Sequence, residues 1–191
     1  LMVCRNVLIC RETGWPIHIQ HISSAFSVDM VRAAQGQGLP VSAEASPHHI
    51  CLTEACCASH GANAKMSPPL RTEADRQAIL EGLADGTIRS IATDHAPHAA
   101  EEKALGLEEA PFGIIGLEAA VALCLTELVH GGVLSLPEFV SRLTAGPRDV
   151  LRLEEGTLSP GALADVTLLQ PDARHVLGTA NFQIGRASCR E

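Results

Sequence analysis

Between Pro16 and Thr93 short apolar, often β-branched runs alternate with longer amphipathic ones, and that alternation limits the folds open to the chain. Pro16-Ile-His-Ile-Gln-His-Ile22 places Ile17, Ile19 and His21 on one face, as in a buried strand whose last inward side chain is polar. Ser24 stands where it can cap a helix through Val28, Val31 and Ala34, which Gly36 and Gly38 stop. Leu39 to Ala45 predicts a second strand. Beyond Ser67-Pro-Pro69, Thr72 with Asp75 three residues on predicts a helix through Ile79, Leu80 and Leu83, ended by Gly86 before a third strand, Thr87 to Thr93. Strands that alternate with helices imply right-handed crossovers and a parallel sheet. Periodicity leaves open whether that sheet is doubly wound or closed into a barrel.

The pattern continues on both sides of this stretch. Leu117 to Val129 predicts a helix that stops at Gly131-Gly132, and Ser135-Leu-Pro-Glu138 predicts another, with Pro in its first turn and a Ser/Glu capping box. Leu1 to Glu12 carries apolar residues at helical spacing (Met2, Val3, Val7, Leu8) with no N-cap ahead of them, as expected of a chain that begins inside a larger protein. From Gly156 turn residues lead into an apolar strand-like run without a helix, which predicts a separate small β-unit. Ile184 to Glu191 breaks that pattern and reads as a non-native, adapter-derived tail, so Cys189 is given no meaning. The expected organisation is residues 1–155, 156–183 and 184–191.

Composition removes several function classes. Of 191 residues, 46% are hydrophobic and 19% charged, enough apolar surface for a sizeable core. With 14 Lys+Arg against 22 Asp+Glu and no basic cluster, there is no electrostatic footprint for nucleic acid or an anionic membrane surface. No apolar run reaches the roughly 18 residues that span a bilayer. Seven cysteines at irregular spacing, none in a CxxC pair, argue against a disulfide framework and a cysteine zinc site, which points to a reducing cytoplasm.

Two strand ends deliver metal-ligand types: His21 after the first strand and Asp94 after the third. In a parallel barrel, functional side chains come from the C-terminal ends of different strands and meet across the mouth. Ile91-Ala-Thr-Asp94-His-Ala-Pro-His98 concentrates a carboxylate and two imidazoles at one such end, a cluster that is costly to bury without purpose. His18, His48 and His49 read as hydrogen-bonded structural residues, and His60, His130 and His175 as surface residues. Glu101, Glu102 and Lys103 read as a solvated helix start, Pro68-Pro69 as a shaped loop, and Cys56-Cys57 as a pair without a metal.

The ordered blocks His21-Ile-Ser-Ser24, Val41-Ser-Ala-Glu44-Ala-Ser46-Pro-His48-His49, Lys65-Met-Ser67-Pro-Pro-Leu-Arg71, Ile91 to His98, Glu101-Glu-Lys103 and Ala110-Pro-Phe112-Gly113 resemble type I dihydroorotases of the amidohydrolase superfamily. Gly156 to Asp165 resembles the return to the small β-domain that accompanies such barrels. The resemblance implies an α/β fold: the C-terminal part of a (β/α)8 metal-dependent hydrolase barrel, about strands 6 to 8, plus the start of the β-domain. It implies two zinc ions per complete active site, His21 as ligand of the second, and Asp94 as ligand of the first and carrier of the catalytic proton. It further implies substrate contacts from Ser67, His98, Phe112 and Gly113. Ser67 departs from the Asn common in the family and offers a shorter reach and one donor to a pyrimidine ring.

By the same resemblance the substrates are N-carbamoyl-L-aspartate and L-dihydroorotate, interconverted in pyrimidine synthesis, and a homodimer or an association with aspartate carbamoyltransferase is admitted. Allantoinases and dihydropyrimidinases typically carry CPHY-like text where this chain has Ser46-Pro-His-His49. A non-catalytic dihydroorotase-like scaffold would have lost metal ligands of the kind His21 and Asp94 retain. With three of eight strands and two of the ligands, residues 1–191 alone are expected to be inactive and poorly soluble.

Overall fold

The computed structural model describes residues 1–154, 156–174, 176, 178 and 182. Its elements, in chain order, are α1 (Met2–Thr13), β1 (Ile17–Ile19), α2 (Ala25–Gly36), β2 (Val41–Ala45), α3 (Pro47–Cys51), α4 (Ala55–His60), α5 (Glu73–Ala84), β3 (Ser90–Ile91), α6 (Ala100–Lys103), α7 (Ala120–Cys124), α8 (Leu136–Leu143) and α9 (Ala145–Leu151). A 3-10 turn, Gly61–Ala64, follows α4, and α7 runs on into a π-helical segment, Leu125–His130. The strands form a parallel sheet in the order β1-β2-β3, with Ile17, His18 and Ile19 opposite Val41, Ser42 and Ala43, and Glu44 and Ala45 opposite Ser90 and Ile91. The chain is thus mixed α/β, as the alternation predicts.

The expected stop and start signals work as chemistry. Ser24 Oγ accepts from the Ser27 N–H and opens α2, and Thr72 Oγ1 accepts from Asp75 N–H and opens α5. Asp75 answers both helices at once: its carboxylate accepts from the Thr72 hydroxyl at 2.7 Å and from Ala25 N–H, at the start of α2, at 2.9 Å. Glu138 reaches back to Ser135 N–H at 2.7 Å and opens α8. Gly14, in the left-handed region at φ 69°, ends α1 by donating to Cys10 C=O.

Helices α2 and α5 cross closely over the sheet because Gly82 has no side chain. A Cβ there would lie 3.0 Å from Val28 Cγ1 and 3.1 Å from Ile88 Cδ1. Around that crossing Val28, Val31, Ile79, Leu83 and Ile88 are almost wholly buried with Ala43 and Ala45 of β2, and Phe139 and Leu128 belong to the same core. Removing one of these larger side chains, as in Leu83→Ala, would cost about 2–5 kcal/mol.

Four element boundaries change. The first strand ends at Ile19, because Gln20 turns to solvent and His21 adopts φ 50°, which no strand tolerates. The second starts at Val41, after Pro40, which has no N–H for a ladder. The third shrinks to Ser90–Ile91, since Ile88 N–H bonds back to Gly82 C=O at the end of α5. The helix expected from Leu117 begins at Ala120, because Gly116 and Leu117 N–H point to a side chain, His95 Nδ1.

The run from Gly156 forms no strand among the described residues; Leu158, Leu163 and Leu168 are largely exposed, with no partner strand for a ladder to form on. The boundary residue Glu155, His175 and the segment 184–191 with Cys189 lie outside the described residues.

Candidate active site

The C-terminal ends of β1, β2 and β3 point the same way and bring His21, Ser46 and Asp94 to one edge of the sheet. His21 and Asp94 both take left-handed backbone conformations, φ 50° and 48°. For residues other than Gly this is uncommon and costs on the order of 1–3 kcal/mol each, so the surrounding structure must hold them there. Ile22 N–H does so for the first by donating to Glu44 C=O at 2.9 Å.

The side chains form a line across the strands. Register puts His18 beside Ser42, and His18 Nδ1 hydrogen bonds with Ser42 Oγ at 2.8 Å while its Nε2 meets Glu44 Oε2 at 3.0 Å. The other carboxylate oxygen, Glu44 Oε1, lies 3.1 Å from His21 Nδ1, within ion-pair range but off the line of a hydrogen bond. Ser46 Oγ hydrogen bonds with that same Nδ1 at 3.0 Å. His21 Nε2 in turn lies 3.6 Å from Asp94 Oδ1, and Asp94 Oδ2 is buried with no hydrogen-bond partner among the described residues.

Behind this line sit His48 and His49, their rings 4.3 Å apart and both nearly inaccessible. Burial pushes the His48 imidazole down to about 3, helped by His49 and His21. Burial lowers His49 too, against the pull of the Pro68 carbonyl, which its Nε2 meets at 2.9 Å. His49 is hydrogen-bonded as read from sequence, but His48 Nε2 and His49 Nδ1 are buried with no hydrogen-bond partner among the described residues. Through Pro68 the pair also joins the strand ends to the loop that carries Ser67.

A second group gathers outside the strand ends and consists of side chains gripping backbone. His98 Nε2 hydrogen bonds with Phe112 C=O at 2.9 Å, and Gly113 N–H donates to Lys65 C=O at 2.9 Å. Gly113 has to be glycine, because a Cβ would sit 2.5 Å from Ala96 O and 2.7 Å from His98 Cδ2. Lys65 Nζ donates to Glu108 and Ala110 C=O at 3.0 and 2.6 Å, and Lys103 Nζ to Ala62 and Pro111 C=O at 2.9 and 3.0 Å. Lys103 is therefore not a solvated helix residue: burial and the nearby Lys65 ammonium both lower its pKa. His95 Nδ1 accepts from Gly116 and Leu117 N–H at 3.0 and 3.2 Å, which leaves its proton on Nε2.

The structure thus brings His21 and Asp94 together, and separately His98, Phe112 and Gly113. Ser67 is exposed two residues beyond Lys65. The Phe112 carbonyl and the Gly113 N–H are already engaged; among the described residues Phe112 N–H and Gly113 C=O have no backbone hydrogen bond. Glu44, Ser46, Lys65, His95 and Lys103 carry contacts that sequence reasoning gave no role. Two had a signal: Glu44, a carboxylate in the middle of an otherwise apolar strand, and His95, one of the two imidazoles grouped with Asp94.

The donor set fits a divalent cation in part. A neutral imidazole nitrogen and a carboxylate with one orphaned oxygen are ligand types for zinc. The described residues contain no group of three or more His, Cys, Asp or Glu that could hold a metal by themselves, so any such ion needs further ligands. None of the described helices is long and apolar enough to cross a membrane.

No family model matches the sequence. A dihydroorotase from Pelotomaculum thermopropionicum is 47% identical over 182 residues, covering 95% of this chain and 43% of that protein. One from Clostridioides difficile is 49% identical over 172 residues, covering 90% and 41%. The chain spans about two fifths of the length of these curated relatives. Among solved structures, the L-hydantoinase (dihydropyrimidinase) of Arthrobacter aurescens aligns with a TM-score of 0.78 at 29% identity, over 85% of this chain and 37% of that one. The D-hydantoinase (dihydropyrimidinase) of a Thermus species gives 0.77 at 27% identity, over the same shares.

Proposed function

We propose, for a chain homologous to dihydroorotases over nine-tenths of its length, that it supplies part of a dihydroorotase active site. The observation that carries the reading is the meeting of His21 and Asp94 at the sheet edge, both held in strained backbone conformations and one with an orphaned carboxylate oxygen. The sheet β1-β2-β3 is read as strands 6 to 8 of a (β/α)8 barrel, its two free edges taken up by strands outside this sequence. Residues 1–155 are read as the barrel portion and 156–183 as the start of the segment that returns to a β-domain. The irregular spacing of the chain's cysteines is read as that of a cytoplasmic protein.

The reaction interconverts N-carbamoyl-L-aspartate and L-dihydroorotate. Hydrolysis adds the oxygen of water to the ring amide carbonyl, breaks the carbon–nitrogen bond and leaves that nitrogen needing a proton. Two zinc ions, when bound by His21, Asp94 and ligands from elsewhere in the protein, would supply the charge that acidifies water and polarises the carbonyl. Asp94 takes the proton released by the water and hands it to the leaving nitrogen. In cyclisation the same carboxylic acid protonates the oxygen that departs as water. Ser67, His98 and the Phe112–Gly113 backbone face the substrate side; Ser67, shorter than Asn, grips the ring edge through one hydroxyl.

The hydantoinase structures favour a wider reading as a cyclic amidohydrolase of unspecified ring, and the identity to dihydroorotases favours the narrower one. The deciding experiment is an assay of the full-length protein on L-dihydroorotate, hydantoin and dihydrouracil. Turnover of dihydroorotate with little of the others is expected. A preference for hydantoin or dihydrouracil would overturn the narrower reading, and inactivity on all three with bound metal would favour a scaffold.

A further inference from the structure

Glu44 lies in the middle of the sheet, opposite Ser90, and only 8% of it is exposed. A carboxylate so placed is costly unless charge and hydrogen bonds compensate it; His18 hydrogen bonds with Oε2, and Oε1, which has no hydrogen-bond partner among the described residues, has the His21 ring beside it. His18 Nε2 stands 3.0 Å from one oxygen and His21 Nδ1 3.1 Å from the other, so the carboxylate bridges the rings. His18 is itself fixed on its far side by Ser42 at 2.8 Å. The line Ser42–His18–Glu44–His21–Asp94 therefore runs from the middle of the sheet to its C-terminal edge.

The Ser46 hydroxyl can serve either tautomer of His21, and the Glu44 charge favours the one with its proton on Nδ1. A lone pair on Nδ1 would face Glu44 Oε1, two electron-rich atoms in contact. With the proton on Nδ1, the ring instead satisfies Ser46 Oγ and lies against the carboxylate. Nε2 is then left as a bare lone pair directed at the Asp94 side. A carboxylate beside the distal N–H of a ligating histidine favours that tautomer and raises the ring's basicity; here Glu44 does so by its charge at 3.1 Å, while Ser46 Oγ is the hydrogen-bond partner of Nδ1.

We infer that Glu44 is a positioning residue for the metal side of this site, holding His21 with Nε2 free, and that His18 braces Glu44 in turn. The inference rests on the reading of His21 as a metal ligand. Glu44 touches neither substrate nor metal; it acts through the imidazole.

The test uses the full-length protein with Glu44→Gln, Glu44→Asp and His18→Gln. Zinc affinity is measured by competition with a chromophoric chelator, and the ligand field by the visible spectrum of the cobalt(II) form. Glu44→Gln, nearly the same shape without the charge, is expected to weaken zinc at one of the two sites by about 10–100-fold and to shift the cobalt bands. His18→Gln should weaken it less, and Glu44→Asp, which withdraws the carboxylate by one methylene, should fall between Glu44→Gln and wild type. If Glu44→Gln does not fold, Glu44→Asp decides: wild-type affinity and spectrum in it overturn the inference. Unchanged affinity and spectrum in a folded Glu44→Gln overturn it directly. A wild-type protein that binds no divalent cation refutes instead the metal reading on which the inference stands.

Discussion

The strand-end line and the loop clasp do similar work by opposite means. At the strand ends side chain meets side chain: His18 with Glu44, Glu44 with His21, His21 with Asp94. In the clasp side chains meet backbone: Lys65 and Lys103 on four carbonyls, His98 on a fifth, and His95 on two N–H groups. A side-chain line depends on the identity of every member, so a substitution there changes chemistry. A backbone clasp fixes the position of a loop whatever its side chains are, so a substitution there changes placement. On the proposed function the first region should control turnover and the second substrate binding.

The sharpest way to break that division is Asp94→Asn in the full-length protein. Asn keeps the shape and removes the base, and loss of a positioned proton carrier costs roughly 10²–10⁴-fold in rate. The expected result is a fall of that size in kcat, with KM little changed and the protein folded. A kcat near wild type with metal still bound would place the proton transfer elsewhere and leave the strand-end line without its chemical role.

Next in size is an acid-driven loss of stability centred on the strand-end region. The His48 ring, ordinarily near 6.5, is held down to about 3 by burial, and His49 is lowered as well. Both are neutral in the fold, while the unfolded chain takes up their protons below about 6.5. Their contribution is therefore complete above that pH and is lost progressively as pH falls toward 3, with a slope of at most about 1.4 kcal/mol per pH unit for each ring. Thermal melting of the full-length protein between pH 7 and 4 should show the decline, and His48→Leu should flatten it. An equal acid slope in His48→Leu would mean that other groups govern it.

The two regions also differ in how far sequence could reveal them. His21 and Asp94 were legible because strand ends, residue type and ordered text coincide there. Their left-handed backbone was not, since a strand pattern carried past Ile19 says nothing of the turn that ends it. Strands β1 and β3 were overdrawn for a related reason: hydrophobic periodicity records burial, and Ile88 is buried without belonging to the ladder. Caps at Ser24 and Thr72 were correct because a cap is a local device, complete within four residues. Lys103 was misread because its partners are carbonyls 41 and 8 residues away, and a carbonyl leaves no mark in a sequence. The strand expected after Gly156 failed because a strand is defined by its neighbour, and none is present among the described residues.

The smallest expected effect tests the clasp itself. Lys103→Met preserves the length and apolar stem of the side chain and removes both hydrogen bonds, to Ala62 and Pro111. Loss of the second frees the carbonyl just before Phe112, and with it the loop that presents Phe112 N–H and Gly113 C=O. The expected outcome is a rise in KM for L-dihydroorotate of about tenfold, equivalent to about 1.4 kcal/mol, with kcat within about twofold. Lys103→Arg keeps the charge and the donors and should recover most of the affinity, although a planar guanidinium cannot copy the ammonium's geometry. A loss confined to kcat would show that the clasp feeds the proton-transfer line after all. An unchanged KM in Lys103→Met would reduce Lys103 to a staple of α6, leaving Lys65, whose ammonium also lies 4.6 Å from the centre of the Phe112 ring, to hold the loop alone.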